Sequence, residues 1–446
     1  MKLSDYVKVY RINDDAFAYY HSLRMIPVYV SRCEHELIQS GKFRDIQRGT
    51  LDALRECRIL VDGDEAGLIE SVQRLMPEPY ICIAYFILTE QCNLACRYCF
   101  MGNASERPKA TDYPMSIETA EKALLFFAEQ TRKAPEYFDE EKSIIFYGGE
   151  PLLNFEAMKF TVERCRELQQ EGRITRNLNF TAITNGFLLD RENISFMRDN
   201  NIDVSVSLDG AGEESNSSRV DHAGKTVYRT VIEKLGLAAS MGLPVSLSVT
   251  ITESTLDDMA GLIEFLDETG IKSLCFNIMQ RIKDFHVGDE YYARASNFIT
   301  EFYRRTKRRG IYEDRFMRKL KSFASQKFYF ADCAACSGNQ IVITPDGRVG
   351  ICQGCAEDRR YFITDVNSPE YDVRNDKTAR NWLKKSPFFR KECRKCEALG
   401  LCGGGCPVNS PETFCIHAKS TLEFLVRELY SVMQSGSTAH SESDSA

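Results

Sequence analysis

Residues 1–76 carry short runs in which apolar and polar positions alternate, at 6–10, 17–20 and 26–30, followed by helical spacing over 34–38 and 48–54. Alternation of period two buries one face of a strand, and a 3.6-residue period buries one face of a helix. The pattern therefore predicts a β-meander followed by helices. From Tyr80 onward, short apolar runs alternate with longer amphipathic stretches. Strands are predicted at 81–88, 143–147, 178–183, 204–208, 245–251 and 273–278, with helices between them, among them 117–130 behind an N-cap at Ser116 and 156–171. Six such units in succession predict an α/β fold with a parallel sheet, whose ligands sit at the carboxyl ends of the strands. Residues 279–332 are charged and helical, and the basic run at Arg304, Arg305, Lys307, Arg308 and Arg309 reads as a solvated face. From Cys333 to Cys415 the periodicity fades while Cys and Gly accumulate, as in a domain held by metal clusters more than by an apolar core. The domain boundaries follow as 1–76, 77–332 and 333–430, with 431–446 a disordered tail of small polar residues.

At 446 residues the chain has room for two or three domains with proper cores. Its net charge of −7 offers no basic footprint, which argues against nucleic acid and against an anionic membrane surface as partners. The polar start predicts no signal peptide, and no apolar run approaches the roughly 18 residues of a membrane span. Seventeen cysteines in metal-type groupings then point to a reducing, cytoplasmic location and away from disulfides.

Cys92, Cys96 and Cys99 stand in Cys-Asn-Leu-Ala-Cys-Arg-Tyr-Cys, just after the first predicted strand of the sheet. A 4Fe–4S cubane held by three protein sulfurs keeps one iron open to an outside ligand, which a four-cysteine site would close. A structural zinc site or three unrelated core cysteines is the plainer alternative. The C-x3-C-x2-C spacing resembles that of the radical S-adenosylmethionine (SAM) superfamily. The resemblance implies a partial (β/α)6 barrel, SAM chelated by the open iron, and its reductive cleavage to a 5′-deoxyadenosyl radical. It also implies that Tyr98, the residue before the third cysteine, contacts the adenine.

Other residues at strand ends match the same family. Gly148-Gly149-Glu150-Pro151 follows the second strand; two glycines permit close backbone approach, and the Glu150 carboxylate suits an ammonium group. In the family this loop engages the SAM amino group. Asn185, in Thr184-Asn185-Gly186, and Ser207 with Asp209, in Ser207-Leu208-Asp209-Gly210, resemble ribose- and carboxylate-contacting positions, although Asn, Asp and Gly also favour turns for conformational reasons. Arg219 resembles a further charge partner, but Ser217 and Ser218 stand before it and the family's His-Asp is absent.

A second constellation runs Cys393-x2-Cys396-x5-Cys402-x3-Cys406, then Cys415, with Cys336 and Cys352 upstream around Gly347. A zinc ribbon is the alternative for the four-cysteine run. The seven cysteines are similar in order and spacing to the SPASM domain, which carries two auxiliary 4Fe–4S clusters. That resemblance implies Cys393, Cys396, Cys402 and Cys415 on the second cluster and Cys336, Cys352 and Cys406 on the first. The fourth ligand of the first is Cys333, Cys355 or none. Cys33, Cys57, Cys82, Cys165 and Cys275 stand alone and read as inert.

Proteins of this type mostly modify peptides. The implied cofactors are SAM and three clusters, and the implied partners are a ribosomally made precursor peptide with a leader segment and a reducing donor such as flavodoxin or ferredoxin. Residues 1–76 resemble, in size and order, the small winged-helix-like domains that recognise leaders in such enzymes. The resemblance extends to maturases that form sulfur-to-carbon thioether links, through the stretch 332–352 and Leu401-Cys402-Gly403-Gly404-Gly405-Cys406-Pro407. Carbon–carbon or carbon–oxygen crosslinking would use the same motifs. Sulfatase maturation is disfavoured because Gln353 stands where those enzymes carry Asp. A leader-binding or electron-transfer protein without catalysis is the non-enzyme alternative.

Overall fold

Fifteen strands and their intervening helices build the described part of the chain, which in this computed structural model comprises residues 1–99, 101, 113–279, 287–288, 290–408 and 411–443. The N-terminal part holds β1 (Lys2–Leu3), β2 (Val7–Arg11), β3 (Ala16–His21), β4 (Ile26–Ser31) and β5 (Leu60–Val61). Strands β2, β3 and β4 form the predicted antiparallel meander, and β1 pairs with β5. Ser31 starts helix Arg32–Gln39 with a reciprocal capping box to Glu34. Helix Arg48–Glu56 follows, so the order of meander and then helices is the one the periodicity predicts.

The central sheet begins with β6 (Ile83–Thr89), β7 (Lys142–Gly148), β8 (Leu178–Thr184), β9 (Ile202–Ser207), β10 (Val245–Ile251) and β11 (Ser273–Ile278), parallel and adjacent in chain order. The period-two pattern explains its two faces. Phe86, Phe146, Ala182, Val206, Val249 and Phe276 are buried beneath the helices. The opposite face is half-buried and largely polar, with Tyr147, Thr181, Ser207, Ser248, Thr250 and Asn277. A polar face of that kind suits a polar ligand, where an apolar one would be covered by core.

Four short strands lie beyond the six predicted. β12 (Tyr312–Glu313) joins β11 in parallel, and β13 (Gln340–Ile343) lies parallel to β6 on the other side. β14 (Arg348–Gly350) and β15 (Phe362–Asp365) continue the sheet antiparallel, giving ten strands in all. The cysteine-rich segment is thus partly an extension of the main sheet. Strands of two to four residues are too short to show a period. Helix Pro411–Ser443 runs into the segment expected as a tail, since extending a formed helix costs far less than starting one. Residues 444–446 lie outside the described residues.

The N-terminal part has its own small core around Tyr19, Val30 and Leu54. It is also seated on the rest of the chain. Tyr10, Ala18, Tyr20 and Met25 belong to the main core. The Tyr29 hydroxyl donates to the Val426 carbonyl (2.6 Å), and Gly400 N–H donates to Ser22 O (3.2 Å). Among the described residues no helix is long and apolar enough to cross a membrane.

Candidate active site at the carboxyl ends of the strands

The loop after β6 carries Cys92, Cys96 and Cys99, and the loop after β7 is clamped to it. Gly149 N–H donates to Thr89 O and Glu150 N–H to Gln91 O, both at 2.9 Å. Gly148 has φ +138°, and a Cβ there would stand 2.1 Å from Thr89 O; a Cβ on Gly149 would stand 2.1 Å from Gln91 O. Only glycine lets the two backbones meet this closely. The far side of the cysteine loop is held by Ala95 N–H to Val220 O (2.8 Å) and Arg97 N–H to Ser218 O (3.0 Å). His222 Nε2 lies 2.9 Å from Cys92 O.

Glu150 is fully buried, and the chain's own donors occupy it. Thr184 Oγ1 (2.6 Å) and Leu152 N–H (3.1 Å) donate to Oε1, and Asn185 N–H donates to Oε2 (2.7 Å). Burial raises its carboxyl above the usual range, and these hydrogen bonds oppose the rise. Glu150 thereby holds Asn185, whose Nδ2 donates to Asn93 Oδ1 (2.9 Å) and lies 3.7 Å from Cys92 Sγ. Asn93 carries no motif of its own and shows its role only once the loops meet.

Tyr98, Asp209 and Arg219 form one buried network. The Tyr98 hydroxyl donates to Asp209, Arg219 Nη1 donates to that hydroxyl (2.7 Å), and Arg219 lies 3.7 Å from Asp209. Asn216 Oδ1 accepts from Asp209 N–H (2.8 Å) and Asp209 Oδ1 accepts from Thr250 N–H (3.1 Å), so the network is tied to the loop after β9 and to the end of β10. Burial pushes the Cys96 thiol up, with Arg219 pulling the other way. Ser207 is half-buried at the end of β9, opposite Ser248 in the register. Asn216 and Thr250 were not legible as site residues, because neither lies in a recognisable motif.

The thiols gather in three sets. Burial, with Cys96 and Cys99 close by, pushes the Cys92 thiol up to about 12. In the second set the Cys336 thiol hydrogen-bonds to Cys333, and Cys352 to Cys355, which pulls Cys333 and Cys355 down and raises their partners. Cys406 neighbours Cys336. Both candidates for a fourth ligand therefore stand in this set. The third set holds Cys393 and Cys402, each pushed up to about 11 by burial, with Cys396 and Cys415 alongside. Among the described residues no three His, Cys, Asp or Glu side chains converge on one ion-sized point. Thiolates on a cubane bind different irons and stand apart, so spaced sets of thiols suit clusters better than a single zinc ion.

Two features connect the sets. Tyr147, whose hydroxyl burial pushes well up, has both Cys99 and Cys352 among the neighbours that raise it further, and meets Tyr85 edge to face at 5.7 Å between ring centroids. Lys319 Nζ donates to Cys402 O (3.0 Å) and lies 3.4 Å from Asp332, next to Cys333. Burial raises the Asp332 carboxyl, but Lys319, Arg315 and Arg318 together hold it well below the usual carboxylate range. Gln353 Oε1 accepts from Gln340 Nε2 (2.9 Å).

A mostly parallel open sheet with a three-cysteine loop at its carboxyl end defines the radical SAM fold. The family model described as the Radical SAM superfamily matches residues 86–266, and the chain carries a radical SAM domain there. Among curated proteins it is similar to the cysteine-type anaerobic sulfatase-maturating enzyme of Clostridium perfringens (strain 13 / Type A), 24% identical over 330 residues, covering 71% of this chain and 85% of that protein. It is also similar to the radical SAM cyclopropyl synthase TigE of Paramaledivibacter caminithermalis, 22% identical over 356 residues, covering 75% and 70%. Among solved structures, anSMEcpe with bound AdoMet superimposes with a TM-score of 0.66 at 20% identity, over 78% of this chain and 99% of that one. Streptococcus suis SuiB bound to precursor peptide SuiA gives 0.51 at 16% identity, over 92% and 98%.

Proposed function

We propose that this chain is a radical SAM peptide maturase that joins a cysteine sulfur of a ribosomally made precursor to a carbon of another residue in the same peptide. The observation that carries the reading is that Tyr147, on the polar face of the sheet, has Cys99 and Cys352 of two thiol sets as electrostatic neighbours. A peptide held on that face would lie within reach of both. Cys92, Cys96 and Cys99 would hold the cluster that binds SAM. Cys393, Cys396, Cys402 and Cys415 would hold one auxiliary cluster, and Cys336, Cys352 and Cys406 with Cys333 or Cys355 the other. Bound SAM and clusters supply the carbon-centred radical and accept the second electron.

The chain's own residues position and shield. Gly148 and Gly149 bring the two loops together, Glu150 orients Asn185 beside Cys92, and the buried Asp209–Arg219 pair holds the Tyr98 hydroxyl so that its ring is fixed over the cysteine loop. The polar face of the sheet would keep the peptide in register through its hydroxyl and amide groups. We further infer that the meander at β2–β4, with β2 at the edge of its sheet, adds the leader as an extra strand. The likeness to SuiB, described with a precursor peptide, supports a peptide substrate. The amide of Gln353, engaged by Gln340, has no basicity to offer, which counts against sulfatase maturation despite the similarity to the Clostridium perfringens enzyme. The similarity to a cyclopropyl synthase favours carbon–carbon bonding as the second reading.

Thiol counting separates the two. Thioether formation removes about two hydrogens and one alkylatable thiol per link, because hydrogen abstraction plus loss of the thiol proton is a two-electron oxidation. Carbon–carbon bonding gives the same mass change and leaves every thiol free. A product two hydrogens lighter with its full thiol count would eliminate the thioether reading.

A further inference from the structure

The chain reverses its overall charge around Cys393 and Cys396. Residues 377–395 hold eight Lys and Arg against one acidic residue, Glu392, in a protein whose net charge is −7. The segment is a succession of single turns, helix Lys377–Leu383 and 3₁₀ turns Pro387–Phe389 and Lys391–Cys393. Trp382 and Phe388 point inward and are buried, which leaves the cations on the outside. Arg394 and Lys395 are paired with Glu70 (3.4 Å) and Asp5 (3.1 Å). Lys377, Lys384, Lys385 and Lys391 are exposed and have no ion pair among the described residues. Phe389, 39% exposed, sits among them.

The other basic run provides the contrast. Arg304 and Arg305 pair with Glu301, Lys307 with Glu428 and Arg309 with Asp267, so four of its five cations have a carboxylate partner within the molecule. Unpaired like charges repel one another, and a dense patch of them raises the local concentration of oppositely charged partners. The patch at 377–395 contains Cys393 and adjoins Cys396, both half-buried.

We propose that this basic collar is the docking surface for a small acidic protein that carries one electron at a time. The proposal rests on the reading above that Cys393, Cys396, Cys402 and Cys415 hold an auxiliary cluster. Two acidic proteins repel at long range, so a carrier of that kind needs a local cationic patch in order to dock. An exposed apolar side chain inside a cationic ring suits a brief, salt-sensitive encounter. An acidic peptide is the poorer fit, because among the described residues from 366 to 408 no strand offers a free edge to pair with.

The test compares cluster-loaded full-length protein with its Lys384→Glu, Lys385→Glu, Lys391→Glu triple variant. Calorimetric titration with an oxidised acidic flavodoxin should show about tenfold weaker binding by the variant at low salt, and a flatter salt dependence. Iron content and dithionite-driven SAM cleavage should match the wild type, which establishes that the variant folds. Equal flavodoxin affinity in the two proteins overturns the proposal. So does weaker binding of the precursor peptide with flavodoxin binding intact, which would assign the patch to the peptide. Iron analysis of the wild type reads the cluster assignment separately: a protein that binds flavodoxin through the collar but lacks the auxiliary iron refutes that assignment and leaves the docking surface standing.

Discussion

Glu150 shows how far a motif and its meaning can diverge at one residue. Its place in Gly148-Gly149-Glu150-Pro151 suggests a carboxylate that meets a ligand, yet three donors of the chain itself occupy it and no part of it is exposed. Hydrogen bonds to a buried charged group are worth roughly 1.5–3 kcal/mol each. In Glu150→Gln, an amide replaces one carboxylate oxygen and sets a donor against a donor, Asn185 N–H or Thr184 Oγ1–H. The variant should bind SAM about tenfold more weakly through displacement of Asn185, a loss of about 1.4 kcal/mol, with an unchanged cluster absorption spectrum. Calorimetric titration with SAM decides it, and wild-type affinity would show that the hydrogen bonds around Glu150 do not govern the pocket.

Among the elements, the contact between the β6 and β7 loops is the least forgiving. A Cβ on Gly149 meets backbone, Gln91 O at 2.1 Å and Glu90 O at 2.9 Å, and no flexible side chain is there to move aside. Gly149→Ala should lower stability by about 2–3 kcal/mol and displace the loop that carries Cys92. Loading of the first cluster should fail while the auxiliary sets still take up iron, which iron analysis with electron paramagnetic resonance would read. Gly212→Ala serves as the control, since nothing lies within 4 Å of a Cβ there; it should change stability by less than about 0.5 kcal/mol. Full loading in Gly149→Ala would mean that the two loops can separate at little cost.

For the molecule as a whole, the N-terminal part is both a separate unit and a piece of the main core. Tyr10, Ala18, Tyr20 and Met25 pack into that core, and each large apolar side chain exposed costs roughly 1.5–3 kcal/mol. Removal of residues 1–76 should therefore leave a chain that is insoluble or melts well below the full-length protein, as a thermal unfolding scan would show. A soluble truncation with an unchanged melting temperature would mean that this packing contributes little, and it would then report directly on leader binding.

Local pattern was enough for the six parallel strands, the N-cap at Ser116 and the meander. Strands of six or seven residues show their alternation. It did not reveal β12–β15, whose two to four residues are too few for a period and which form only because the sheet already offers an edge. Nor did it reveal Asn93, Asn216 or Thr250, ordinary polar residues that acquire roles from partners up to 92 positions away. The hydrogen bonds that the chain itself makes to Glu150, and the nearness of Tyr147 to cysteines of two sets, likewise came only from tertiary structure. Spacing along a chain reports which groups share a turn, whereas burial and long-range pairing decide which of them face a ligand and which hold the others in place.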